Sequence, residues 1–281
     1  MTTLAPPQEQ PLPSTSHPGE AVIRFDNVAI AFDHPVLEGV SFQLARGETK
    51  ILMGAAGTGK TLVLKLALGL LKPDSGSITV LDQEITQMRE QELFALRRKI
   101  GMVFQESALF DSLTVEENVA YRLIEETGRI TEEIHARVLE ALRFVELENT
   151  FSLFPSELSG GMRRRVAIAR AIITQPEVLL YDSPTGGLDP VTSNTIIELI
   201  VKQRDVYQTS SLLVTNRLQD AFTMASHYFD RAQNKMVPIQ DGAQRDLHTR
   251  FVMLRDGQII FEGTAAELLR CSDPYVREYL S

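Results

Sequence analysis

Cysteine is nearly missing from this chain: Cys271 is the only copy in 281 residues. No disulfide can close within the chain, and nothing points to an oxidising compartment. Long apolar runs are missing too, since none approaches the ~18–20 residues needed to cross a bilayer. The first 22 residues hold no Lys or Arg and no apolar stretch, so no secretory signal is expected. Positive charge is scarce: 28 Lys and Arg stand against 37 Asp and Glu, giving a formal net charge of −9 and a pI near 5.2. A broad nucleic-acid surface leaves a basic footprint, so no nucleic-acid partner is expected. The expected location is the cytoplasm, where work at a membrane would need another chain as anchor.

What is present suits an ordinary globular protein, 43% hydrophobic and 23% charged. The length allows one large domain or two small ones. Residues 1–19 hold five of the 13 prolines and few large apolar side chains, and read as a disordered tail. From residue 20 the pattern changes. Apolar runs at 22–25, 28–32, 40–44, 50–53 and 76–81 predict strands. Helical spacing follows at 60–71, 90–99, 115–125 and 131–145. With few strand candidates among the last three, residues 90–165 read as a helical subdomain. Helices predicted at 160–174 and 191–204 then alternate with strands at 178–181 and 211–215, which marks an α/β sheet. No internal repeat is visible.

Between strand 50–53 and the following helix lies Gly54-Ala55-Ala56-Gly57-Thr58-Gly59-Lys60-Thr61, which satisfies the phosphate-loop pattern G-x-x-x-x-G-K-[ST]. Glycines let successive N–H groups turn inward around a phosphate, and the helix start adds the positive end of its dipole. Lys60 would reach the β/γ oxygens and the Thr61 hydroxyl would ligate Mg²⁺. Downstream, Val178-Leu179-Leu180-Tyr181-Asp182 is an apolar strand ending in a carboxylate. That ending suits Asp182 for holding a metal-bound water. Then Leu158-Ser159-Gly160-Gly161-Met162 opens a helix through Arg163, Arg164 and Arg165. A serine hydroxyl and glycine amides at a helix start form a second anion site, or simply a cap. The arginine run reads as a solvated helix face with its stems over apolar neighbours.

These motifs make the chain resemble the ATP-binding subunits of ABC transporters, whose L-S-G-G-Q signature it matches at four of five positions. The resemblance spans about residues 20–228 and 251–270. It implies an α/β P-loop NTPase fold of ABC type, residues 20–270, with an antiparallel β subdomain and a helical subdomain. A C-terminal extension, 271–281, would follow. It implies ATP on Gly54, Ala55, Ala56, Gly57, Thr58, Gly59, Lys60, Thr61 and Leu62, with Mg²⁺ held by Thr61, Gln105 and Asp182. Phe32 resembles the aromatic that stacks on adenine, although a core Phe in a strand reads nearly as well. Gln105 resembles the glutamine that senses Mg²⁺ and faces the transport partner. Asp189 matches a loop that crosses the dimer interface. In the family, Ser159, Gly160 and Gly161 of one subunit would meet the γ-phosphate bound to another. The implied partners are a second ATP-binding subunit, as homodimer or heterodimer, and an integral membrane permease. Through it the chain would sit on the inner face of the plasma membrane. Ala108-Leu109-Phe110-Asp111-Ser112-Leu113-Thr114-Val115, Met162 and Ala221-Phe222 resemble the Mla-type and MCE-associated phospholipid transport ATPases in particular. That subgroup would add an MCE-type lipid-binding protein.

Three features depart from the family pattern. Ser183 stands where the family has the Glu that activates water, and a hydroxyl cannot accept that proton at neutral pH. Asn216 replaces the switch histidine, and an amide can donate a hydrogen bond but cannot carry the charge. With Gln105 these are the catalytic positions, two of them changed. The implied enzyme is an ATPase with slow turnover, or a hydrolysis-deficient relative with a regulatory role. Last, polar residues 230–248 interrupt a stretch that the family joins directly, and read as an exposed loop.

Overall fold

The computed structural model describes residues 20–239 and 248–281. The expected tail, 1–19, and part of the 230–248 insertion lie outside the described residues.

The chain opens with an antiparallel sheet. Strands β1 (Ala21–Ala31) and β2 (Pro35–Ala45) pair, and β4 (Ser75–Val80) and β5 (Gln83–Glu84) extend the sheet in the order β2-β1-β4-β5. The runs 22–25 and 28–32 are one strand. The gap between them is a shift in register between Phe25 and Val28, where Asn27 takes φ 50°. An irregularity of this kind bends a strand without ending it.

The second sheet contains β3 (Thr49–Met53), β6 (Ile100–Val103), β7 (Val178–Asp182), β8 (Ser210–Val214), β11 (Thr249–Arg255) and β12 (Gln258–Gly263). Its order is β12-β11-β3-β8-β7-β6, parallel throughout except for β12. Alternate residues separate two cores. Ile51, Met53, Leu179, Tyr181, Leu213, Phe251 and Met253 pack with α3 (Val115–Thr127), α4 (Glu132–Phe144), α5 (Gly160–Ile172), α6 (Pro190–Tyr207) and α7 (Leu218–Ser226). Leu52, Val178, Leu180, Leu212, Val214, Val252 and Leu254 pack against the antiparallel sheet and α1 (Lys60–Ala67). Sequestering each such side chain from water contributes about 1.5–3 kcal/mol. Both faces are covered, as parallel sheets require.

Two expectations change. The span 90–165 is not helical throughout. After α2 (Glu90–Arg97), β6 joins the edge of the six-stranded sheet beside β7. Four residues are too few for a periodic signal, and Gly101 lets the strand approach α5, since a Cβ there would meet the Ala171 carbonyl oxygen at 2.5 Å. The insertion is not simply a loop either. β9 (His227–Asp230) and β10 (Lys235–Pro238) form a hairpin that docks on α6, where the Met236 amide donates to Glu198 Oε1 at 2.8 Å. Phe229 is buried beneath Lys202, whose ammonium lies 5.3 Å from the ring centre. Helices α8 (Ala265–Arg270) and α9 (Pro274–Leu280) complete the chain.

The Tyr181 hydroxyl is buried without a hydrogen-bond partner, and burial pushes its pKa up. An unpaired buried polar group costs about 1–3 kcal/mol. Tyr181→Phe should therefore raise the calorimetric melting temperature, and a lower one would show that the hydroxyl has a stabilising partner.

Candidate functional site

Strands β3, β8, β7 and β6 are consecutive and parallel, so their exits share one edge. The phosphate loop follows β3, Asn216 lies just beyond β8, Asp182 and Ser183 end β7, and Gln105 follows β6. Ligands of open α/β sheets bind at such carboxyl edges. Topology thus collects residues as far apart in sequence as Gly54 and Asn216.

Gly54 takes φ 149° and Gly59 φ 90°. A Cβ on Gly54 would collide with the Leu254 carbonyl oxygen, so the loop lies flat against the end of β11. A Cβ on Gly57 would meet nothing within 4 Å, which leaves open space above the loop. Helix α1 starts without a side-chain cap and without an acidic residue in its first turn. Its free amides are donors for an anion. Lys60 is 8% exposed and donates to the carbonyls of Gly54 at 2.8 Å and Ala55 at 2.6 Å. Burial lowers its pKa, against the opposing pull of Asp182. The Thr61 hydroxyl donates to Asp182 Oδ1 at 3.1 Å, across the width of β8. Burial raises the Asp182 pKa. The Thr61 hydrogen bond, Lys65, Lys60 and Arg164 act the other way. Thr61 and Asp182 form the oxygen-donor pair that could hold a divalent cation.

Ser183 is half-buried at φ 45°, and its amide donates to Val214 O at 2.9 Å. Asn216 and Gln105 are exposed. A Cβ on Gly186 would touch Gln105 Cγ at 3.7 Å, so the segments after β6 and β7 adjoin. Phe32 is 62% exposed at the β1–β2 turn, which rules out the core reading for it. Leu62 is half-buried against the second core.

Ser159, Gly160 and Gly161 lie elsewhere. The Ser159 hydroxyl caps α5, accepting from the Met162 amide at 3.2 Å. A Cβ on Gly161 would collide with Thr192, whose hydroxyl donates to Asp189 at 2.5 Å. Asp189 also accepts the amides of Val191 and Thr192 at 3.0 Å, and the Thr192 hydrogen bonds hold its pKa low. Among the described residues, no hydrogen bond joins Ser159, Gly160 or Gly161 to the phosphate loop. Ala55, Ala56 and Gly57 of the loop and Ser159 and Gly160 of the turn are exposed.

The arginines do not form a solvated face. Arg164 is 5% exposed and donates to Phe104 O at 2.9 Å and Gly186 O at 3.3 Å. It thereby ties the signature helix to the segments beside Gln105 and Ser183. Burial lowers its pKa, opposed by Glu106 and Asp182. Arg163 donates to Leu158 O at 2.6 Å and Arg165 to Val145 O at 3.0 Å. Arg170 holds Ser107 O at 2.8 Å and Ala108 O at 2.7 Å, and Arg217 holds Thr185 O at 3.0 Å. These roles escaped the sequence reading because a run of arginines says nothing of which carbonyls wait opposite.

Residues 37–186 match the family described as ABC transporter. The chain belongs to that family. It is 36% identical over 253 residues to the Arabidopsis thaliana protein TRIGALACTOSYLDIACYLGLYCEROL 3, chloroplastic, covering 87% of this chain and 68% of that one. It is 32% identical over 248 residues to the intermembrane phospholipid transport system ATP-binding protein MlaF of Haemophilus influenzae, covering 88% and 85%. A solved dimeric ATP-binding cassette in a post-hydrolysis state, bound to ADP and Pi, superposes with a TM-score of 0.72 at 30% identity, over 86% of this chain and 98% of that one. As an ABC ATP-binding subunit the chain has the family's P-loop NTPase fold, and cassettes of this family dimerise and work with membrane permeases. Among the described residues, no helix is long and apolar enough to cross a membrane.

Two outcomes test this geometry. Arg164→Ala strands two carbonyls and opens a cavity, so unfolding in denaturant should show a loss of about 2–4 kcal/mol. A loss under half a unit would mean those loops are held by something else. The raised Asp182 pKa has the opposite sign from a paired carboxylate. Without nucleotide, its contribution to stability is full below the ordinary value of 3.8 and is lost as pH rises through the folded pKa. Melting temperature against pH should lose that downward component in Asp182→Asn. Parallel curves for the two proteins would contradict it.

Proposed function

We propose that two copies of this chain close on ATP, each nucleotide lying between the phosphate loop of one copy and the Ser159–Gly160–Gly161 turn of the other. The single observation that carries this reading is that one chain holds two anion-binding turns, each with exposed residues, and that no hydrogen bond joins them among the described residues. Lys60 would exchange its loop carbonyls for the β/γ oxygens, and the Thr61–Asp182 pair would accept Mg²⁺ with its waters. Asp189, already ordered as a helix cap, would meet the partner copy. Phe32 would stack on adenine. Exposed Phe104 and Phe110, in the segment after β6 that carries Gln105, would face the permease, which would hold the chain at the cytoplasmic side of the membrane. The similarity to a phospholipid transport ATP-binding protein supports a lipid as cargo, with an MCE-type lipid-binding protein as a further partner.

Capture and hydrolysis are separated in this chain. Ser183 offers no base for the attacking water, and a missing general base costs about 10²–10⁴ in rate. Asn216 can hydrogen-bond a γ-phosphate but not shuttle a proton. ATP closes the pair and slow hydrolysis reopens it. The same two residues favour a second reading, a regulatory subunit that closes on ATP and does not turn over, alone or beside a competent partner.

Steady-state hydrolysis by the purified chain, Ser183→Glu, Asn216→His and the double variant decides the point. The double variant should be faster than wild type by at least about tenfold. Wild-type turnover at ordinary enzyme rates of about 1 s⁻¹ or more would refute slow hydrolysis. So would a double variant that binds ATP yet is no faster. Purification from solubilised membranes should bring down a permease with bound phospholipid, and a permease carrying a different cargo would remove the lipid assignment.

A further inference from the structure

The C-terminal segment has no part in the chemistry described so far, yet it touches the phosphate loop. Helix α9 is capped by Asp273, which accepts the amides of Tyr275 at 2.9 Å and Val276 at 3.1 Å. Val276 is fully buried and pins the helix to the core. Tyr275 and Tyr279, four residues apart, share one face, with ring centres 6.3 Å apart. Both hydroxyls reach the first turn of the loop. The Ala55 amide donates to Tyr275 Oη at 3.3 Å, and Tyr279 Oη donates to Gly54 O at 3.2 Å. The Arg255 guanidinium lies 4.9 Å from the centre of the Tyr275 ring.

The Gly54 carbonyl is the key atom. It accepts from Tyr279 and also from the Lys60 ammonium, at 2.8 Å. All three donors of Lys60 face the loop, on Gly54 O, Ala55 O and Thr58 Oγ1, and turning them to a phosphate draws them from these partners. Gly54 is buried, so its carbonyl would then be stranded if no second donor were present. Burial holds the Tyr279 hydroxyl above its usual pKa, so it keeps its proton and can donate.

We propose that α9 is a latch on the phosphate loop, with Tyr279 and Tyr275 as positioning residues. They satisfy its first turn while Lys60 transfers to the nucleotide, and so link the C-terminal helix to ATP affinity. This rests on ATP binding at the phosphate loop. A protein that pulled α9 away would weaken that binding, and bound ATP would in turn hold α9 in place.

Titration of the full chain with Mg²⁺ and a fluorescent ATP analogue tests it. Tyr279→Phe keeps the ring and removes only the donor. Its dissociation constant should rise about three- to tenfold, the size of one lost hydrogen bond, with the melting temperature without nucleotide unchanged. Tyr275→Phe should also speed hydrogen exchange at the Ala55 amide. In the wild-type chain, Mg-ATP should slow exchange across residues 274–280. Affinities within twofold of wild type for both variants, or exchange in 274–280 indifferent to ATP, would overturn the latch. A wild-type chain that binds no Mg-ATP would overturn the nucleotide site itself, and the latch with it. If Tyr279→Phe lowers the melting temperature, the wild-type exchange experiment decides alone.

Discussion

Four parallel strands that end at one edge are the constraint on which everything else in this molecule depends. Phosphate loop, strand carboxylate, Asn216 and Gln105 are scattered through the sequence, and only the order β3-β8-β7-β6 brings them into a row. The order is secured by burial on both faces. Slipping a strand by one residue would exchange its two sets of side chains, which belong to different cores. Tyr181 would trade places with Leu180, and Asp182 would lose its place beside Thr61. The register that keeps the cores dry therefore also sets the contact between hydroxyl and carboxylate.

Sheet packing positions the strand ends but not the loops beyond them. Guanidinium groups do that. Arg164, Arg170 and Arg217 each donate to backbone carbonyls of the segments after β6 and β7. Ser107, Ala108 and Ser183, in those segments, all take positive φ, so the backbone there has left any regular ladder and its carbonyls need other donors. A planar group with five donors can serve two such carbonyls at once, which an ammonium on a flexible stem does less well. Because Arg164 starts from the signature helix, it links that helix to Phe104 and Gly186, in the segments that carry Gln105 and Ser183.

Ligand capture and water activation rest on different residue types, and the slow hydrolysis proposed for this chain follows from that difference. Capture needs backbone amides, a cation and a hydroxyl–carboxylate pair, all of which are present at the sheet edge. Activation calls for a proton acceptor, and in the proposed function neither the Ser183 hydroxyl nor the Asn216 amide supplies one. Ser183 takes φ 45° directly after Asp182, so the backbone leaves the β7 ladder at this residue.

The sequence alone determined the phosphate loop, the carboxylate strand, the signature turn and most helices, because each is local: glycine spacing, an apolar run and a 3.6-residue period all lie within about twenty residues. The departures from the family pattern at positions 183 and 216, on which the proposed slow hydrolysis rests, are likewise a reading of the sequence. It did not reveal β6, too short to show a period, or the β9–β10 hairpin, whose polar residues pair across a turn and onto α6. It misread the arginines, since whether a guanidinium meets water or a carbonyl depends on what folds against it. The tyrosines of α9 were silent for the same reason. Their partners lie more than 200 positions away, and only tertiary packing sets two hydroxyls against the backbone of Gly54 and Ala55.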